Sequence, residues 1–283
     1  MSGTQKKKTT KIIIYVILLA VFIVAMFPVF YTFMASMKSN QEILTSGNRI
    51  IPEKFVFDNY VQAWELANFK QFTFNSVFMS FFIVVGVIIS STVAGYVFDR
   101  GKFRGKEILF MLIISSMFVS LGSLTLYPLL MVAKGFHISH SLWGVIIVRV
   151  LGLDVTNLFI ARNYINSIPK EVDEAAKIDG CSFFGIFYSI IFPLCKPLIA
   201  TVGILQFRAA WNDYLMPLVF TLSNPERMPL VVGVVNLKNT GEAASSWNLM
   251  LAGTAISMIP MILVYILFNR YFIEGLTSGS VKG

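Results

Sequence analysis

Charge is what this sequence has least of. Only 13% of its 283 residues are Asp, Glu, Lys or Arg, about half of the ~25% usual in soluble domains. Hydrophobic residues make up 56%, and mean hydropathy is +0.72. A soluble chain of this composition would leave large apolar patches in water, where they aggregate. In a bilayer the same surface faces lipid. Cysteine is nearly missing too: Cys181 and Cys195 are too few for a disulfide framework and read as free thiols. Histidine is limited to His137 and His140, a loop pair, and no Cys/His cluster has metal-ligand spacing. No nucleophile–base constellation points to an enzyme. No internal repeat is visible, and no stretch between the apolar runs is long enough for a separate soluble domain. The net charge of +8 sits in short clusters between apolar runs rather than in one stripe. That pattern argues against a nucleic-acid partner and for membrane loops.

What is present is a series of apolar runs. A helix needs about 20 such residues to cross the hydrocarbon core. Six candidates follow, at about Ile12–Met34, Phe74–Phe98, Ile108–Val132, Leu142–Ile160, Ile190–Phe220 and Leu249–Phe272. The first is too long for the apolar region of a cleaved signal peptide, and no A-x-A site follows it. The fifth exceeds what a bilayer needs and contains Pro193, Pro197 and Pro217. Such prolines are tolerated where neighbours or water satisfy the freed carbonyls. The reading is therefore an all-α integral membrane protein with about six transmembrane helices.

Basic residues set the orientation. With the N-terminus in the cytoplasm, the inner segments carry Lys6, Lys7, Lys8, Lys11, Arg100, Lys102, Arg104, Lys106, Arg162, Lys170, Lys177, Lys196, Arg270 and Lys282. The outer segments carry half as many: Lys38, Arg49, Lys54, Lys70, Lys134, Arg227 and Lys238. Both termini then lie inside, as does the segment between the fourth and fifth spans. The first outer segment contains Asp58-Asn-Tyr-Val-Gln-Ala-Trp64, which predicts a short interfacial helix. The last, about Leu222–Asn248, carries Pro225, Pro229 and Gly241.

The inner segment from Ser167 to Pro193 predicts helix, turn, helix. Pro169 suits a first turn, and Glu171, Asp173 and Glu174 complement the positive end of the dipole. Ala175 and Ala176 favour helix with little bulk. Gly180 suits a left-handed C-cap, and Ser182 can cap a second, apolar helix. A short helix of small residues beneath a membrane domain reads either as a knob for a partner's groove or as an amphipathic helix on the bilayer surface.

The string Glu174-Ala-Ala-Lys-Ile-Asp-Gly180, followed by Ile190-Ile-Phe-Pro193, resembles the EAA motif of ATP-binding-cassette (ABC) importer permeases. The wider string from Ile168 resembles the carbohydrate branch and, within it, maltose permease G-like subunits. Trp211-Asn-Asp-Tyr-Leu-Met-Pro217 and Gly275-Leu-Thr-Ser-Gly-Ser-Val-Lys-Gly283 are similar to two further motifs of that branch. Departures are mild: Cys181 stands where Ala is usual, and Phe192 where Leu is usual. The likeness covers roughly Phe72–Gly283, and the first span also fits. The resemblance implies a type I importer permease fold, and that Glu174, Ala175, Ala176, Asp179 and Gly180 couple to a cytoplasmic ATPase. It implies a cytoplasmic tail at 1–11, a first span and extracellular loop at 12–71, a permease core at 72–272 with the coupling segment at 167–193, and a second tail at 273–283. It also implies residence in the bacterial plasma membrane.

The chain has no engine of its own on this reading. Gly101-Lys-Phe-Arg-Gly105-Lys106-Glu107 is one residue short of a phosphate-binding loop and has Glu where Ser or Thr binds magnesium. No cofactor is expected on this chain. The resemblance implies ATP and magnesium used by two separate ABC ATPase subunits, a second permease subunit completing a heterodimer, and an extracellular lipid-anchored or periplasmic solute-binding protein that delivers a carbohydrate. In position, the last outer loop resembles the segment that meets the binding protein in such permeases.

Ionised groups inside spans cost about 2.5–3.5 kcal/mol on the insertion scale, so they tend to face a cavity or a partner. Arg149, Asp154 and Asn157 in the fourth span, and Arg208, Trp211, Asn212, Asp213 and Tyr214 in the fifth, are the candidates for the substrate pathway. Carboxylate, amide and guanidinium groups suit hydroxyls, and rings suit the C–H faces of sugars. The structural alternative pairs Arg149 with Asp154 and Arg208 with Asp213. Those spacings of five fit the helical i, i+4 rule poorly, so partners on other helices are equally open. An ABC permease for a non-sugar solute is the competing function. A secondary transporter would call for inverted repeats, and none is seen.

Overall fold

The structure, a computed structural model, describes residues 3–45, 49–66, 68–119, 122–239 and 246–278. Every regular element among them is helical. In chain order these are α1 (Gly3–Ser36), α2 (Asn40–Thr45), α3 (Asp58–Leu66), α4 (Phe69–Arg100), α5 (Lys106–Ser115), α6 (Leu126–Gly135), α7 (Leu142–Leu151), α8 (Val155–Ser167), α9 (Glu171–Ile178), α10 (Phe183–Leu194), α11 (Lys196–Trp211), α12 (Leu215–Thr221), α13 (Leu230–Asn236) and α14 (Trp247–Ser278).

Three helices are long and apolar enough to cross a bilayer unbroken: α1, α4 and α14. Counting the bent pairs α7–α8 and α10–α11 as single spans raises the number to five. The third predicted span differs in form from an unbroken helix. It is divided into α5 and α6, with 3₁₀ turns at Ser116–Phe118 and Gly122–Thr125 between them; Ser120 and Leu121 lie outside the described residues. Hydroxyls bond to local carbonyls on both sides of the interruption. Ser115 Oγ donates to Met111 O at 2.7 Å, Ser116 Oγ to Ile113 O at 2.6 Å and Thr125 Oγ1 to Gly122 O at 2.9 Å. Such local bonds offer carbonyls an alternative to the helical ladder.

Prolines shape the fifth span. A π-type turn at Phe187–Ile191 precedes Pro193, widening the helix where the ring would strike a preceding carbonyl. The axis then bends by 77° between α10 and α11, where Pro193 and Pro197 flank Cys195. The predicted run to Phe220 stops at Trp211 and restarts as α12. Pro217 cannot donate to the carbonyl of residue 213, so the ladder opens at Asn212–Tyr214.

The chain divides into two compact units. One holds residues 1–69 and 233–258. Within it the side chains of α1 from Ile12 to Leu19 are all exposed. A helix apolar on every side suits lipid. The short helix predicted at Asp58–Trp64 is α3. Its Asn59 is buried, donating to Ser36 O at 2.9 Å and Lys38 O at 2.8 Å and accepting from Asn248 Nδ2 at 2.8 Å.

The second unit holds residues 70–232 and 259–283, including the EAA-like segment and both bent pairs. Its core gathers Met79, Ile83, Val87 and Tyr96 of α4, Val145 and Ile146 of α7, Ala161 and Ile165 of α8, and Ile186, Phe187, Leu198 and Val202 of the fifth span. Gly95 lets α4 lie against α8: a Cβ there would meet Ala161 Cβ at 2.8 Å. Gly241 of the last outer loop and residues 279–283 of the C-terminal motif lie outside the described residues.

Candidate functional site

The EAA-like segment folds as helix, turn, helix, but α9 begins at Glu171 with Lys170 at its N-cap, so Pro169 precedes the helix and does not form its first turn. Ile168, ahead of Pro169, is extended and ends α8, as the ring of a following proline demands. Glu171, Asp173 and Glu174 occupy the first turn of the eight-residue α9. Gly180 has φ +82°, in the left-handed region. Its N–H donates to Lys177 O at 3.1 Å, and Cys181 N–H to Ala176 O at 3.0 Å. These bonds close the last turn of α9 with the chain reversed. Ser182 Oγ then accepts from Gly185 N–H at 3.1 Å and caps α10.

The two faces of α9 have different roles. Asp173 and Ala176 are buried, while Glu174, Ala175, Lys177, Ile178 and Asp179 are exposed. Asp173 is held by Arg100 at the end of α4, whose Nε donates to its Oδ2 at 3.0 Å. The guanidinium also donates to Asp99 Oδ2 and to Ile168 O, both at 2.6 Å. Tyr96 OH, beside the same Asp173, donates to Phe183 O at 3.2 Å at the start of α10. The inward face is thus tied to protein by charge, which suits a surface-lying amphipathic helix poorly. The outward face combines acids, a small Ala175 and Ile178, which is 87% exposed.

A second polar site lies at the breaks in the bent spans. A cavity of about 560 Å³ is lined by Ser123, Thr125, Arg149, Gly152, Asp154, Gln206 and Asp213, with Leu126, Leu129, Val148, Leu215 and Met216 among its apolar walls. The α7–α8 break turns by 45° through Leu153, which has φ +42°. A non-glycine residue there is strained, and such strain gathers at functional sites. Asp154 follows, accepting from Asn157 N–H at 3.0 Å to cap α8 and from Gln206 Nε2 at 2.9 Å. Arg149 pairs with Asp213, whose other oxygen accepts from Met216 N–H at 3.4 Å. One cation, two carboxylates, an amide and hydroxyls around an open space can exchange hydrogen bonds with a solute rich in hydroxyls.

Residues 6–277 match the family of binding-protein-dependent transport system inner membrane components. The chain belongs to that family. Similar chains include the arabinooligosaccharides transport system permease protein AraQ of Bacillus subtilis (strain 168), 33% identical over 262 residues and 91% of each chain. The galactooligosaccharides transport system permease protein GanQ of the same organism is 30% identical over 95% of this chain and 94% of its own. The fold is that of a chain in the crystal structure of a bacterial ABC transporter involved in the import of the acidic polysaccharide alginate. Its TM-score is 0.77 at 24% identity, covering 96% of this chain and 99% of that one.

Within this inner membrane component, the candidate pathway residues separate. Arg149, Asp154 and Asp213 meet in the cavity. Arg149 pairs with Asp213, in the break after α11, and Asp154 with Gln206 of α11, so both partners lie far along the chain rather than five residues away. Trp211 is 2% exposed and stacks on Phe207 at 5.4 Å, away from the cavity wall. Arg208 and Asn212 are exposed, with Asn212 Nδ2 on Arg208 O at 2.9 Å, and Tyr214 is half-buried. Asn157 is buried, and neither polar atom of its amide finds a partner among the described residues. Arg100, Ile178 and Gln206 escaped the sequence reading. Arg100 entered it only as one charge of an inner loop. Gln206 is uncharged and draws no notice in an apolar run.

The loop at Gly101–Glu107 has its own internal use in this permease. Lys106 Nζ donates to Asp99 O and Gly101 O, both at 3.2 Å. Glu107 accepts from Arg162 at 2.9 and 3.0 Å.

Proposed function

We propose that this chain forms half of the translocation pathway of an ABC importer for a sugar or oligosaccharide, and that α9 docks in a cytoplasmic ATPase. The observation that carries the reading is the construction of α9. It is pinned behind by a buried ion pair, ended by a left-handed glycine, and left with a bare face of Glu174, Ala175 and Ile178. A helix built only to fill space would bury its apolar residue, whereas Ile178 stands out.

The chain contributes no catalysis on this reading; hydrolysis of ATP with magnesium belongs to two partner ATPase subunits. A second permease subunit completes the pathway, and a solute-binding protein delivers the sugar from outside. The excess of basic residues in the inner segments supports both termini and α9 in the cytoplasm of a bacterial plasma membrane. The sugar class is supported by the likeness to AraQ and GanQ, permease proteins of arabinooligosaccharide and galactooligosaccharide transport systems, and by the mixed polar lining of the cavity.

Glu174→Lys tests the docking directly. Glu174 is exposed, so its reversal leaves folding intact and changes only what meets the partner. The ATPase recovered with the tagged permease is expected to fall at least tenfold, with membrane levels of the permease unchanged. Full recovery of the ATPase with Glu174→Lys would contradict the assignment of that face.

A further inference from the structure

The connections on either side of α9 lead to α8 and α10, so displacement of α9 reaches the fourth and fifth spans through the chain itself. Helix α4 has no such link, since Arg100 and Asp173 are 73 residues apart. It is nonetheless gripped at three points. Arg100 Nε reaches Asp173 on α9 at 3.0 Å, and its Nη2 reaches Ile168 O ahead of α9 at 2.6 Å. One turn earlier, Tyr96 bonds Phe183 O, and its ring packs on Phe183 and Phe187 at 4.6 and 5.1 Å.

The grip is stiff for a physical reason. The Arg100 side chain is 6% exposed, with Asp99 at 3% and Asp173 at 5%. Three nitrogens of one rigid guanidinium each have a separate acceptor, and Asn166 Nδ2 fixes Asp99 Oδ1 at 2.7 Å. A planar fork held on several sides cannot swivel as a lysine ammonium does. Exposed ion pairs, by contrast, yield easily.

We infer that Arg100 is the positioning residue through which movement of α9 is passed to α4. This rests on the reading of α9 as the ATPase-docking helix. Arg100 touches neither ATPase nor solute; it sets how far a second-span helix follows the knob. Without its fork, α9 still docks and moves α8 and α10, while α4 lags. Coupling between two sites is reciprocal, so the same tie carries the signal from a docked binding protein inward to the ATPase.

The test uses the assembled transporter in proteoliposomes, with Arg100→Lys, Arg100→Ala and, from the other side of the contact, Asp173→Asn. The readouts are ATPase retained, basal hydrolysis, the factor by which the binding protein stimulates hydrolysis, and ATP consumed per labelled arabinotriose imported. For Arg100→Lys, retained ATPase and basal hydrolysis are expected within twofold of wild type. Stimulation is expected to fall below half, and ATP consumed per arabinotriose to rise at least fivefold. Asp173→Asn is expected to move the same two quantities in the same direction. If Arg100→Ala does not assemble, Arg100→Lys, which keeps charge and most of the volume, decides. Wild-type stimulation by Arg100→Lys overturns the inference. So does a proportional fall of hydrolysis and uptake with their ratio unchanged, which marks a merely structural role. A wild-type permease that retains no ATPase overturns the docking reading and this inference together; coupled wild type with coupled Arg100→Lys overturns this one alone.

Discussion

Valine at position 180 is expected to reduce solute uptake at least tenfold while the amount of inserted permease stays the same. Gly180 has φ +82°, and a Cβ placed on it meets nothing within 4 Å. The defect is therefore one of backbone conformation, not crowding. A left-handed conformation costs an L-residue roughly 1–2 kcal/mol, and a β-branched residue there is an outlier. That is enough to release the Cys181 N–H to Ala176 O bond and swing the chain that leaves α9. The effect should be graded. Asparagine, which tolerates the left-handed region, should retain most uptake; alanine should fall between. Uptake assays paired with quantitation of membrane-inserted protein give the series. Wild-type uptake by Gly180→Val would show that the turn does not govern coupling.

Arg149→Ala is expected to have the second largest effect. It removes the cation that the described residues place on the cavity wall and leaves the Asp213 carboxylate without its partner. Removing one partner of a fully buried pair costs about 3–5 kcal/mol. The Arg149 side chain is 36% exposed and Asp213 11%, so a figure of roughly 1–3 kcal/mol suits this pair. Uptake should fall at least tenfold and the thermal midpoint should drop. In the double variant Arg149→Ala/Asp213→Ala the orphaned carboxylate is gone, so stability should recover in part while uptake does not. A double-mutant cycle on stability, together with uptake, separates the two roles. Normal uptake by Arg149→Ala would remove the cavity from the pathway.

Much of the architecture can be read without coordinates because a bilayer imposes a simple length rule. The runs at Ile12–Met34, Phe74–Phe98 and Leu249–Phe272 coincide with α1, α4 and α14. The turn at Gly180 and the cap at Ser182 were equally legible, since each follows from local stereochemistry. Breaks within spans were harder. Pro193 and Pro197 signal a bend, but its 77° depends on how α10 and α11 pack. The interruption near Ser116 has no distinct local signal, because the hydroxyl bonds made there are also made in unbroken α4 by Ser91 and Thr92. Long-range pairs were beyond reach. Arg149 and Asp213 are 64 residues apart, and Arg100 and Asp173 are 73 apart. Counting charges locates such residues near a membrane face without saying which partner each will find.

The knob at α9 is expected to lie in the cytoplasm, covered by an ATPase. The native cysteines supply the measurement. Cys181, next to Gly180, is exposed, whereas Cys195 is buried. A membrane-impermeant maleimide should label Cys181 in inside-out vesicles stripped of the ATPase. It should label it at least tenfold more slowly once the ATPase is restored, and not at all in right-side-out vesicles. Labelling from the outside, or at one rate with and without the ATPase, would contradict the account.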